Sequence, residues 1–217
     1  IKANAVLSLF YLAYILWLQK LTFFKINRFY LLFSLIFSAL YPFINLSNLF
    51  TKSPGIGTQI TTLSPDWQQI QFTIESPGVQ EIFEVFFWIS VSLFALRLII
   101  KLVGLLRVHL KSTPAQWTIY SYRATQEISS PFSFWKNIYL NPFNHGIDEY
   151  EKIFKHEQVH VNQLHTLDIL ISEISILIFW YNPFCWLTRH AIVENIEFVT
   201  DRKVISSGVD KQSYQYS

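Results

Sequence analysis

Methionine is missing from all 217 residues, position 1 included, and cysteine occurs once, as Cys185. A single thiol closes no internal disulfide, which excludes a disulfide-stapled secreted domain. Cys185 lies in an apolar stretch and is expected to be a small buried hydrophobe. Without a starting Met, and with the polar end Gln212–Ser217, the chain is expected to be a piece of a longer protein whose C-terminal sensor or other domain lies beyond it. Charge is scarce as well. Only 15% of residues are charged, against ~25% in an average soluble domain. The net charge of +2 is too small for a nucleic-acid binder, so no direct nucleic-acid contact is expected. What is plentiful is apolar: 51% hydrophobic and 18% aromatic residues, gathered in blocks that point to membrane spans.

Three N-terminal transmembrane helices are expected, at about 3–19, 29–50 and 82–106. The first has no charged front end and no small-residue cleavage site, so it reads as a span and not a signal peptide. Pro42 is expected to kink the second. Arg97 and Lys101, near one end of the third, are expected to snorkel toward the interface. The link 20–28 carries Lys20, Lys25 and Arg28 without an acid. The stretch after the third span carries Arg107, Lys111, Arg123 and Lys136. The positive-inside rule puts both in the cytoplasm of a multi-pass inner-membrane protein. The intervening segment 51–81 then forms an external loop, with a strand at Gln69–Ile74 and Trp67 at the interface.

Beyond residue 110 the pattern changes. Trp117–Tyr122 and Phe132–Leu140 alternate as strands do, and turn residues separate them. They are expected to form a small β-sheet, with Phe132, Ser133, Phe134 and Trp135 as the edge against which an extended protein substrate could pair. A helix is expected from Asp148, as its cap, to Tyr181, and another from Phe184 to about Ser206.

The first of these helices contains His156-Glu157-Gln158-Val159-His160. Residues four apart share a helix face, so the two imidazoles can grip one Zn²⁺. Glu157, displaced around the helix, is placed to take a proton from a water activated by the metal. Two ligands leave a catalytic zinc one short. His165 is five residues past His160 with no glycine turn between them, which excludes a nearby third histidine. The next helix offers Glu194, Glu197 and Asp201. Glu197 is the expected third ligand and Glu194 the alternative. Asp201, on the face of Glu197, would hold a ligand imidazole from behind. One metal cannot be held across ~30 Å of hydrocarbon. The apolar run 167–187 must therefore return as a membrane-dipping helical hairpin within 148–206, turning at Tyr181-Asn182-Pro183. Glu173 inside it must face protein or water.

HEQVH, LHTLD at 164–168, FWYNPFCW at 179–186 and ENIEFVTD at 194–201 together resemble the BlaR/MecR-type membrane metallopeptidases, antirepressor sensor-transducers for β-lactams. The resemblance extends over essentially the whole chain. It implies a gluzincin-like zinc endopeptidase in region 111–217, facing the cytoplasm behind a membrane region 1–110, with His156, His160 and Glu197 as ligands and Glu157 as base. It also implies cleavage of the protein itself, of a cytoplasmic helix-turn-helix repressor, or of both. No Ser-x-x-Lys with its partner motifs stands in a foldable context, so drug sensing does not carry over. Two other functions compete: a membrane quality-control protease and an inactive transducer scaffold.

Overall fold

The computed structural model describes residues 2–44 and 77–207. It is mainly helical with one small sheet. Helix α1 is Lys2–Ala13, extended by a π-helical turn at Tyr14–Leu18, and α2 is Phe24–Leu40, closed by a 3-10 turn at Tyr41–Phe43. Helix α3 spans Pro77–Lys111. Strands β1 (Thr113–Trp117), β2 (Tyr120–Ala124), β3 (Phe132–Phe134) and β4 (Asn137–Leu140) follow. Helices α4 (Ile147–Asn162), α5 (His165–Phe179) and α6 (Pro183–Ser206) complete the described chain.

Two helices are long and apolar enough to cross a membrane, at Phe24–Phe43 and Gln80–Lys111, while Lys2–Leu18 is apolar but shorter. The second expected span therefore moves toward the N-terminus. Pro42 sits in its closing 3-10 turn and ends the helix instead of kinking it, since proline has no N–H with which to extend the ladder. Of the expected loop 51–81, residues 77–81 are the first turns of α3. The rest of that loop, the strand at 69–74 and Trp67 lie outside the described residues.

Helices α1, α2, α5 and α6 share one core, in which Leu7, Leu31, Leu35, Ile176 and Ile192 meet. Cys185 is wholly buried in it. Helix α3 leans on this core through Phe94, stacked on Trp180 at 5.9 Å. Glu173 does face protein: its Oε1 accepts from Lys101 Nζ at 2.9 Å and from Arg189 Nη2 at 2.8 Å. Lys101 thus ends on an acid of α5 instead of reaching for the interface, because an unpaired carboxylate in that apolar run would be costly. Arg97 lies 5.9 Å over the ring of Trp186.

The sheet runs β1-β2-β4-β3. Each expected strand straddles a turn. The chain reverses at Thr118-Ile119 and at Trp135-Lys136, with left-handed φ values of 49° at Thr118 and 54° at Trp135. Neither turn carries the Asn or Gly that marks such positions, and alternation alone does not expose a two-residue reversal. The sheet packs on α4, where Phe154 is fully buried and its ring stacks on Tyr120 at 5.2 Å and Trp117 at 5.6 Å. Full burial of one such ring contributes about 1.5–3 kcal/mol. Arg123 ties the sheet to α3, donating from Nη2 to the carbonyls of His109 and Ser112, both at 2.9 Å, groups that a helix end leaves unpaired.

The single helix expected from Asp148 to Tyr181 breaks. Leu164 adopts φ 53°, and α4 and α5 meet at 62°. Gly146 is the N-cap of α4, so Asp148 lies inside the helix. Arg28 of α2 holds the break. Its Nη2 donates to the Gln163 carbonyl at 2.8 Å, and its Nε lies 2.6 Å from the Asp168 carboxylate. Asn182 starts α6 as expected of a turn residue, its side chain accepting from the Phe184 N–H at 3.0 Å. The turn reaches the start of α1, where Asn4 Nδ2 donates to the Tyr181 hydroxyl at 3.1 Å. Helix α6 then returns along α5 and α2 to the level of α4.

Candidate metal centre

Helix α4 carries His156 and His160 on one face, as the four-residue spacing requires. The aromatic stack on Phe154 fixes the height of that face, and α6, returning antiparallel, brings Glu197 opposite it. His156 Nε2 lies 3.2 Å from His160 Nε2 and 3.4 Å from Glu197 Oε2, and His160 Nε2 lies 3.9 Å from the same oxygen. Tetrahedral Zn²⁺ with bonds of roughly 2.0–2.1 Å needs ligand atoms about 3.3 Å apart. The triangle fits with adjustments of a few tenths of an ångström, and its two neutral nitrogens and one carboxylate oxygen suit that ion. Among the described residues these three form the group able to hold a metal ion. Glu194 is outside the group, its carboxylate lying toward Tyr11 of α1 and Tyr14 of the π-helical turn.

The two imidazoles differ electrically. Burial opposes the charging of His156, but the hydrogen bond to Glu197 and the carboxylates of Glu157, Glu197 and Asp201 outweigh it and raise its pKa. Burial dominates at His160, with His156 adding to it, and its pKa falls to about 4. Glu197 is held below the usual carboxylate range, first by its hydrogen bond to His156. The centre thus combines a neutral imidazole with a carboxylate that stays charged.

The groups behind the ligands also differ. Asp201 Oδ1 lies 3.6 Å from His156 Nδ1, the ring nitrogen turned away from Glu197. Behind His160 stands His165, Nδ1 to Nδ1 at 3.1 Å, on a side chain almost wholly buried. His165 lies outside the group able to hold a metal ion, and helical spacing alone does not reveal its contact with His160. The break at Leu164 turns His165 back toward His160. The only trace in the sequence is that a His follows closely after the motif.

Glu157, the residue after His156 on α4, is displaced around the helix and lines the same cavity as the His156 ring. Burial raises its pKa, and a hydrogen bond from the Ser133 hydroxyl pulls against that rise. Ser133 belongs to β3, which is an edge of the sheet. Phe132, Ser133 and Phe134 pair with Tyr139, Ile138 and Asn137 of β4. Trp135 falls in the turn, and its N–H donates to Thr166 Oγ1 at 2.9 Å, so the expected substrate edge shortens to three residues. A cavity of about 370 Å³ opens beside it, lined by Pro131, His145, Ile153, His156 and Glu157.

Fold and site define a class: a mainly helical chain with helices able to cross a membrane, a small sheet, and a two-histidine, one-glutamate group able to take a metal ion. No family model matches the chain. The regulatory protein BlaR1 of Staphylococcus aureus is 32% identical over 99 residues, which cover 43% of this chain and 17% of that protein. The similarity supports a distant relation to that family. It is confined to a small part of the relative's length.

Proposed function

We propose that this chain is a membrane-embedded zinc metalloendopeptidase that transduces a signal by proteolysis, cutting itself, a cytoplasmic repressor, or both. The observation that carries the proposal is the ligand triangle of His156, His160 and Glu197, three atoms from two antiparallel helices at the spacing one ion needs. When bound, the ion supplies Lewis acidity, which polarises a carbonyl and makes water acidic enough to lose a proton near neutral pH. His156, His160 and Glu197 hold it, while Asp201 and His165 orient the two rings. Glu157 accepts the proton at its carboxylate and returns it to the leaving amine. Its raised pKa brings it nearer the working pH, as a proton carrier requires. Strand β3 offers its edge to an extended peptide, and the cavity beside Glu157 takes a side chain.

The site belongs to the cytoplasmic face in this reading. Arg28 bonds Gln163 and Arg202 Nη1 donates to the Thr22 carbonyl, which sets the basic link 20–28 at the same end of the bundle as the metal ligands. Basic short links stay inside. Region 1–110 anchors and region 111–217 cuts, with the hairpin α5–α6 dipping into the bilayer. The relation to a regulatory protein favours signalling over quality control. The test is a Glu157→Ala chain in cells. We expect it to keep its metal and to lose all cleavage and signalling. Signalling that survives would make the chain a scaffold, and many accumulated membrane proteins in its absence would make it a quality-control protease.

A further inference from the structure

A second cavity of about 520 Å³, lined by none of the metal ligands, opens where the link between α1 and α2 meets the end of α6. Lys25, Arg202 and Lys203 line it, and among the described residues no carboxylate does. Arg202 is fixed in place, donating to the Thr22 carbonyl at 3.0 Å with its guanidinium 5.9 Å over the ring of Phe24. The remaining wall is apolar. Phe23 and Ile26 are 59% and 60% exposed, at the point where a span-length helix begins. Cations at the end of an apolar helix, above exposed aromatic and aliphatic surface, match a molecule with an anionic head and a hydrocarbon tail.

We propose that this cavity binds an anionic phospholipid, its phosphate among Lys25, Arg202 and Lys203 and its chain along Phe23 and Ile26. Arginine matches phosphate through charge-assisted paired hydrogen bonds. A free phosphate would satisfy the cations but leave the apolar wall against water. Each basic residue near an anionic bilayer strengthens association by about fivefold. The site shares no residue with the metal ligands, and its test reads neither metal binding nor proteolysis.

The test uses the chain purified in mild detergent, stripped of lipid and examined by native mass spectrometry with phosphatidylglycerol, with phosphatidylcholine, and with millimolar inorganic phosphate as competitor. We expect one phosphatidylglycerol retained per chain, at least tenfold weaker retention of phosphatidylcholine, and no displacement by phosphate. The pair Lys25→Gln and Lys203→Gln should weaken retention by about 10–30-fold. Lys20→Gln removes a charge from the same link outside the cavity, and should change it less than twofold. Equal retention of both lipids, equal loss in Lys20→Gln, or displacement by phosphate would each overturn the assignment. A matching melting profile of the double variant and the wild type, read by circular dichroism, excludes misfolding as the cause of weaker retention.

Discussion

Helix α4 is gripped on two sides by different chemistry. Its sheet side is aromatic: Phe154 sits between Trp117, Tyr120 and Tyr122 and makes no ionic contact. Its bundle side is polar: Glu197, Asp201 and His165 meet the two imidazoles there. Packing sets where the helix stands, because close-packed rings leave it little freedom to shift. Polar contacts set what its side chains can hold. The two sides should therefore fail differently when cut.

The largest effect is expected on the polar side. His160→Ala or Glu197→Ala should reduce zinc, measured by elemental analysis, from about one per chain to a small fraction, since two ligands hold this ion poorly. Glu157→Gln should leave zinc in place while turnover of a peptide substrate falls by roughly 10²–10⁴-fold. Loss of zinc in Glu157→Gln would merge the two roles and break the distinction.

Next comes the aromatic side. Phe154→Ala should cost about 3–5 kcal/mol of stability, read as a lower unfolding midpoint in detergent. If zinc restores that midpoint fully, the ligands and not the rings position α4.

Smaller effects should separate the two histidines. Asp201→Asn acts behind His156 and His165→Ala behind His160, and each should weaken zinc binding by about 10–100-fold in a competitive chelator titration. An unchanged affinity in His165→Ala would reduce the 3.1 Å contact to packing.

The smallest change is expected from Ser133→Ala. The hydroxyl bond opposes the burial that raises the Glu157 pKa. Removing it lets that pKa rise further, and a base works only when deprotonated. The acid limb of kcat/KM should therefore move to higher pH, and a shift to lower pH would contradict the contact.

The sequence made some of this legible and hid the rest for physical reasons. Spacing of four implies the shared face of His156 and His160, and once Glu197 is taken as the third ligand the impossibility of bridging a bilayer implies the return of α6. Local signals failed where tertiary contacts decide. No Gly or Pro announces the break at Leu164, because Arg28, far away in the chain, satisfies the carbonyl it leaves open at Gln163. The turns at Thr118 and Trp135 likewise use residues that seldom take left-handed φ, and the Trp135 turn is stabilised by its N–H bond to Thr166. His165 could not be placed until the break was known.

X-ray absorption at the zinc edge, on the intact chain in detergent, is the most direct test of the centre. Two imidazole nitrogens and at least one oxygen at roughly 2.0–2.1 Å are expected, with the signal lost in Glu197→Ala. A zinc shell unchanged by that substitution, or no stoichiometric zinc in the intact chain, would contradict the site built here from α4 and α6.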